Sequence, residues 1–274
     1  VLDAERQRIT RLLQNKGYYK FNKDFLVYQA DTTRNTYLVD LTLKLLPYQR
    51  KKEDPPQKHR QYLVNSVNFI ADSEMTPIRK GSFTGFDSLS YKGYNMYYKD
   101  KMFLRPKLLV DFNRIRPGEF YSERDVQNTY SALGRLRMLK YSNIRFKEVN
   151  VSDSTKLDAY IVMSKGQNKS VSFEIEGTNS AGDLGAAASI SFQHRNVFKG
   201  SETFTMKVRG AYEAITGLGQ DYVNDNYTEY GVESSLNFPE FMFPFLSSDF
   251  KRKIKATSEV GLKFTSQVRP EFSR

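Results

Sequence analysis

Along the C-terminal part of this chain, apolar and polar residues alternate one by one in five successive segments. The first reads Ser170-Val171-Ser172-Phe173-Glu174-Ile175-Glu176. The second places Leu184, Ala186, Ala188, Ile190 and Phe192 on one face, with Gly185, Ser189, Ser191 and Gln193 opposite. The third sets Phe204, Met206, Val208 and Tyr212 against Thr203, Thr205, Lys207, Arg209 and Glu213. The fourth sets Tyr230, Val232, Leu236 and Phe238 against Glu229, Glu233, Ser235 and Asn237. The fifth sets Ile254, Ala256, Val260, Leu262 and Phe264 against Lys255, Thr257, Glu259, Lys263 and Thr265. Period two predicts strands with one face in apolar surroundings and the other in water. Segments of roughly 10 residues fit the strands of a membrane-spanning β-barrel. A soluble antiparallel sandwich alternates in the same way, so periodicity alone leaves both readings open.

The N-terminal half has a different rhythm. Residues 2–16 predict an amphipathic helix with Leu2, Ile9, Leu12 and Leu13 on one face, closed by Gly17. An aromatic-rich strand is expected over Tyr18 to Gln29. The turn cluster Asp31-Thr32-Thr33-Arg34-Asn35 and a strand carrying Tyr37, Val39, Leu41, Leu43 and Leu45 follow. Residues 47–59 read as a charged linker, with Lys51-Lys52-Glu53-Asp54 a solvated loop. A strand is expected over Tyr62 to Ile70, then an insertion at 72–101 with one strand over Tyr91 to Tyr98. A short helix from Lys101 aligns Leu104, Leu108, Leu109 and Phe112. Ser122-Glu123-Arg124-Asp125 has capping-box form and opens a helix carrying Val126, Tyr130, Leu133 and Leu136. Strands near Tyr141 to Val149 and Leu157 to Met163 flank the turn Ser152-Asp153-Ser154-Thr155. Helix, strand, turn and strand thus occur at 2–46 and again at 122–164, the first copy without a front half. The expected organisation is a partial module at 1–47, a linker at 48–59, a complete module at 60–166, and barrel strands at 167–274. The first residues lie inside the predicted helix, with no signal-peptide pattern, so a processed or truncated chain is expected.

Composition narrows the chemistry. No run of about 18 apolar residues exists, which excludes a transmembrane helix but not a barrel. Cysteine is absent, which excludes disulfides and Cys-ligated metals. The 18 Tyr and 20 Phe suit strands and interfacial belts. The net charge of +11 suits a nucleic-acid surface or anionic headgroups, but acidic residues are interspersed throughout, and ordinary solvation is the expected reading. No G-x-S-x-G, H-E-x-x-H or phosphate-cradling loop is present. His59 and His194 fall in a linker and a turn, Gly217-Leu218-Gly219 lacks a third glycine, and Asp221 and Asp225 read as a solvated loop. No enzyme activity, metal or cofactor is expected.

Together these features resemble the BamA/TamA-like outer-membrane assembly family, with the TamA/TamL-like branch favoured by Gly17 to Phe21 and Asp31-Thr32-Thr33. The part at about 60–165 resembles a polypeptide-transport-associated (POTRA) domain of order β-α-α-β-β. Ile115-Arg116-Pro117-Gly118-Glu119-Phe120-Tyr121-Ser122 matches the family's turn between the two helices, and Thr129, Leu133, Leu136 and Leu139 match its second helix. Glu176 to Gly185 resembles the family's first barrel hairpin, and His194-Arg195-Asn196-Val197-Phe198-Lys199-Gly200-Ser201-Glu202 the turn after it. The likeness implies an α+β fold of POTRA modules followed by antiparallel strands of an incomplete barrel. The family carries a Val-Arg-Gly-Phe motif in an inward-folded loop. Val208-Arg209-Gly210-Ala211 here lies mid-strand and reads as an accident of alternation.

The resemblance also implies a location and a role. The POTRA modules would lie in the periplasm of a bacterium and the barrel in its outer membrane. Client proteins, unfolded or nascent, would be inserted or exported by β-strand pairing at POTRA edges and at the first barrel strand, through the backbone of Lys169, Val171, Phe173, Ile175 and Gly177. Pro117, Gly118, Tyr121, Leu133 and Leu136 would be structural residues of the POTRA motif. Thr178–Asp183 and Ala214–Asn226 would be outer connections, and His194–Glu202 and Pro239–Lys253 inner ones. Phe238, Phe241, Phe243 and Phe245 would sit at the membrane interface or pack as a hydrophobic turn, with Lys251-Arg252-Lys253 near lipid phosphates or solvated. Membrane lipids and envelope accessory proteins are expected partners; nucleic acid is not. Two alternatives stay open: an exporter of soluble proteins through the barrel, as in two-partner secretion, and a soluble basic β-rich binding module.

Overall fold

A computed structural model describes residues 1–33, 39–49, 55–71, 83–149, 155–180, 183–214, 226–243, 245, 250, 254 and 256–268. These form two compact units. One comprises Val1–Lys101, Val110–Leu133 and Ser142–Met163; the other comprises Met102–Leu109, Gly134–Tyr141 and Ser164–Arg274. Arg34, Asn35, Tyr37, the 51–54 loop, residues 72–82, Ser152 to Ser154, Gly217 to Gly219, Asp221, Asp225 and Lys251 to Lys253 lie outside the described residues.

The first unit opens with α1 (Leu2–Gln14). Asp3 and Glu5 in its first turn complement the helix dipole. The strand expected from Tyr18 to Gln29 is shorter: β1 spans Leu26–Asp31 and pairs antiparallel with β2 (Asp40–Leu45). The aromatics before β1 lie in a loop with a 3-10 turn at Lys23–Phe25, and they pack on ring edges rather than alternating. Phe21 and Phe25 flank His59, with centroids 4.9 and 4.7 Å away. His59 Nε2 lies 2.8 Å from the Leu46 carbonyl. Tyr48 and Gln57 form a β-bridge, so the ends of the linker are anchored.

The second module has β3 (Leu63–Ala71), β4 (Asp87–Tyr91), β5 (Tyr94–Tyr98), α2 (Pro106–Phe112), α3 (Glu123–Leu133), β6 (Leu139–Glu148) and β7 (Lys156–Lys165). Without β4 and β5 this is the expected β-α-α-β-β order. The sheet order is β4-β5-β3-β7-β6, and β3 runs parallel to both β5 and β7. Parallel central strands are covered on both faces and so become continuously apolar. Accordingly β3 buries Phe69 and Ile70 in succession, and β7 buries Ile161, Val162 and Met163. The single strand expected over Tyr91 to Tyr98 is instead a hairpin, β4–β5, turning at Lys92 and Gly93 with φ of 51° and 80°. This hairpin occupies β3 along Asn68 to Ala71. The buried Asn68 keys it in place, accepting a hydrogen bond from Asn95 Nδ2 at 3.1 Å.

The module starts α3 with Ser122, whose Oγ accepts from Asp125 N at 3.3 Å, as a capping residue does. Thr129 is buried on α3 and accepts a hydrogen bond from Arg114 N at 2.9 Å, tying the helix to the loop before it. Gly118 has φ of 83° and donates its N–H to Val64 O at 2.7 Å. Tyr121 is buried, its ring edge-on to Tyr19 at 4.9 Å and Phe146 at 5.1 Å, and its hydroxyl donates to Glu123. Burial, then the adjacent Glu123 carboxylate, pushes this phenol above its ordinary range. Leu133 and Leu136 are fully buried. The two modules meet through backbone: Tyr62 N donates to Gly17 O at 2.8 Å. Burial opposes the Lys20 charge, but Glu148 at 2.7 Å and the Tyr62 hydroxyl outweigh it and raise its pKa.

The second unit contains the five alternating segments as strands: β8 (Lys169–Ser180), β9 (Asp183–Arg195), β10 (Thr203–Ala214), β11 (Asn226–Phe238) and β12 (Ser258–Val268). They form one antiparallel sheet in sequence order. The fifth strand starts later than expected. Ile254 and Ala256 precede β12, and Ile254 N bonds back to Phe250 O at 3.2 Å.

Candidate functional site: an open strand edge

The register builds rows across the sheet. Phe173, Ile190, Val208, Val232 and Phe264 form one row, and Val171, Phe192, Met206, Ser234 and Leu262 the next. This face is exposed: Phe173 is 67% accessible, Ile175 72%, Leu262 79% and Phe264 70%. Strands of 11 to 13 residues are long enough to cross a bilayer core when tilted. The sheet therefore presents a largely apolar face, among the described residues uncovered, of the height a membrane requires.

The opposite face is polar. Lys207 Nζ on β10 lies 3.3 Å from Glu174 Oε2 on β8, and the same carboxylate accepts from Ser189 Oγ at 3.3 Å. Arg209 on β10 meets Glu176 on β8 at 2.8 Å and Glu229 on β11 at 4.0 Å. Glu229 accepts from Gln267 on β12 at 3.0 Å and from the Tyr227 hydroxyl. A chain of polar contacts thus runs from β8 to β12.

Among the described residues, β8 and β12 are the outer strands of the sheet. The hydrogen bond from Arg195 N to Asn168 O, at 2.6 Å, fixes the phase of pairing. In an antiparallel pair, opposed residues alternate between bonding each other and directing their backbone groups outward. With Lys169 opposite His194, the even-numbered residues of β8 bond β9. The odd-numbered ones, Lys169, Val171, Phe173, Ile175 and Gly177, then direct N–H and C=O to the open edge. These are the five residues whose backbone the resemblance would offer to a client strand. The bond from Asn196 N to Glu202 O, at 2.5 Å, gives β9 and β10 the complementary phase.

The base of this edge is built by the turn between β9 and β10. Glu202 is 2% exposed and lies inside its own turn, accepting from Phe198 N at 3.1 Å and Gly200 N at 2.9 Å. Its other oxygen meets Arg105 at 2.6 Å. Asn196 donates to Phe103 O at 2.7 Å and accepts from Ser201 N at 3.0 Å. Ser201 Oγ accepts from Met138 N at 3.0 Å, and Met138 O accepts from Gly166 N at 2.8 Å. Gly166 and Asn168 lie just before β8, so its N-terminal end is held from both sides.

Phe241 and Phe243 stack at 6.1 Å, and Phe245 meets Phe243 edge-on at 5.7 Å. Phe238 ends β11, and Phe245 is largely exposed. Arg105 and the cation–carboxylate pairs of the polar face were not singled out from sequence, because they depend on register and on contacts between distant segments. Among the described residues no group of three or more His, Asp or Glu is placed to hold a metal.

No protein-family model matches the chain, and no curated protein matches it. Among solved structures it is similar to BamA from Haemophilus ducreyi lacking POTRA domains 1–3, at 12% identity and a TM-score of 0.46, over 97% of this chain and 44% of that one. It is also similar to CdiB from Acinetobacter baumannii, at 8% identity and a TM-score of 0.35, over 99% of this chain and 64% of that one. The POTRA3–5 segment of Haemophilus influenzae BamA is similar at 12% identity and a TM-score of 0.22, over 60% of this chain and 80% of that one. The chain spans less than two thirds of the length of the first two.

Proposed function

We propose that this chain is the region of a BamA/TamA-like bacterial outer-membrane assembly protein where periplasmic POTRA modules lead into the first barrel strands. In this reading β8–β12 cross the membrane and β8 offers its edge to client proteins. The uncovered apolar face carries the proposal. A soluble sandwich would bury such a face under a second sheet, whereas lipid covers it directly. The second support is the edge itself. Unpaired backbone groups in lipid cost several kcal/mol each, roughly, so an open edge there strongly favours an added strand. Side chains then matter less than the pattern of outward N–H and C=O groups.

The module offers a further edge. Its own hairpin covers β3 at Asn68 to Ala71, which leaves β4 and β6 as the sheet's outer strands. A client held on β6 before transfer to β8 follows the same pairing chemistry. Lipids are proposed to meet the apolar rows and the Phe241, Phe243 and Phe245 cluster, and accessory envelope proteins the modules.

Photo-crosslinking in cells tests this reading, with the crosslinker at Ser172 of the full-length protein. Capture of nascent outer-membrane barrel proteins is expected. Capture of soluble secreted proteins alone would favour the exporter, and a detergent-free monodisperse protein would overturn the membrane assignment.

A further inference from the structure

The distal half of β8 has little on β9 to hold it. Ile175, Glu176, Gly177 and Thr178 face Ala188, Ala187, Ala186 and Gly185. Cross-strand side-chain pairs are a main source of sheet stability, and small residues supply almost none of it. Gly177 itself adds no side chain. The ion pairs on the polar face pass over this gap. Lys207 and Arg209 stand on β10, two strands away, and reach Glu174 and Glu176 above the buried Ala187 and Ser189 of β9. Larger residues on β9 would block that reach. A Cβ on Gly185 would already collide with the Thr178 hydroxyl. Arg209 is anchored on its far side by Glu229 of β11.

We infer that Arg209 is a positioning residue which, with Lys207, clamps the client-pairing strand β8 to the interior of the sheet from the polar face. The clamp uses no backbone group of β8, so its outward edge stays open while the strand is held. Small residues on β9 are then part of the device, because they let β10 grip β8 directly. This assignment rests on the reading of β8 as the client-pairing edge. Its test involves no client, so its failure is separable from failure of that reading, which the Ser172 crosslink reports.

The test is residue-resolved hydrogen exchange on the full chain in lipid nanodiscs, comparing the parent with Arg209→Gln, Glu176→Gln and the double variant. The amides of Glu174, Glu176 and Thr178 bond β9 and report attachment of β8. Exchange at these positions is expected to accelerate about fivefold in each single variant and no further in the double. Raising salt should accelerate the parent more than Arg209→Gln, in which only the exposed Lys207–Glu174 pair is left to screen. Unchanged exchange in β8 would overturn the inference. Equal acceleration throughout β10 and β11 would overturn it too, since Arg209 would then support the whole sheet. So would a salt response in Arg209→Gln equal to the parent's.

Discussion

The Arg105 guanidinium meets the Glu202 carboxylate at 2.6 Å, and Gly200 lies against both. A Cβ on Gly200 would fall on the Arg105 guanidinium and the Glu202 carboxylate together. Glycine is needed here for space rather than for an unusual φ. The buried carboxylate in turn holds two turn amides, so one side chain organises the base of β9 and β10.

Glu202→Gln is therefore predicted to lower stability by about 2–4 kcal/mol, because the charge is lost and the new NH2 group must face either Arg105 or the two turn amides that share Oε2. Gly200→Ala should cost a similar amount by displacing the pair. Arg105→Met should cost less, since both turn amides keep Oε2 and water can take the place of the half-exposed guanidinium at Oε1. Urea unfolding of the full chain in detergent, followed by circular dichroism, gives the order. An Arg105→Met cost equal to that of Glu202→Gln would count against this account.

Gly17 gives a second prediction, at the junction of the two modules. Its φ of 99° disfavours any L side chain, and an added Cβ would lie 3.1 Å from Phe120 Cδ1. Gly17→Ala should cost about 1–3 kcal/mol. The Tyr62 amide that bonds Gly17 O should lose protection most. Hydrogen exchange at Tyr62 checks this; no change there would mean that the junction absorbs the methyl group without moving.

The strands of the second unit were legible because period two survives in any antiparallel sheet, whatever covers it. The module's helices were legible because Ser122 and the spacing of Val126, Tyr130 and Leu133 are local signals, but their ends were not: Leu104 precedes α2, Leu136 lies beyond α3 and Leu139 opens β6. What failed was non-local or conformational. Aromatics at Tyr18 to Phe25 have high strand propensity, yet they serve a cluster around His59 and Tyr121 instead. The β4–β5 hairpin was missed because its turn is Lys92-Gly93, and only the structure shows positive φ at both positions. Val208-Arg209-Gly210-Ala211 lies within β10, the mid-strand position read from the alternation, but the pairing of Arg209 was not legible, because Glu176 and Glu229 are distant in sequence and meet it only once the register is set.

Alkaline stability gives a third prediction. Burial, followed by the neighbouring Glu123 carboxylate, raises the Tyr121 pKa from its ordinary 10.0. Tyr19, beside it, is also raised, again mainly by burial. A group whose pKa is higher folded than unfolded contributes stability below the unfolded value. That contribution declines as pH rises past about 10, where only the unfolded chain releases the proton. The first unit is thus expected to lose stability above that pH. Tyr121→Phe should be less stable than the parent at pH 8, yet show a shallower decline between pH 10 and 11. Parallel declines for the two proteins would exclude Tyr121 as a source.

The pairing phase of β8 yields the sharpest functional prediction. Phe173 directs its N–H to the open edge, while Ser172 directs its N–H to Ser191 of β9. Proline removes one donor and is tolerated at edge positions whose N–H faces outward. Phe173→Pro should therefore leave the β8–β9 ladder intact and remove one outward donor. Ser172→Pro should break a ladder bond, at a cost of about 1–3 kcal/mol. Phe173→Ala keeps every backbone donor. If clients pair with this edge, growth complementation by the full-length protein should fall for Phe173→Pro and persist for Phe173→Ala, at equal levels of folded protein. Ser172→Pro should reduce the amount of folded protein itself, seen as lost heat-modifiable migration on gels. Equal complementation by Phe173→Pro and Phe173→Ala would show that the outward backbone of β8 is not what clients bind.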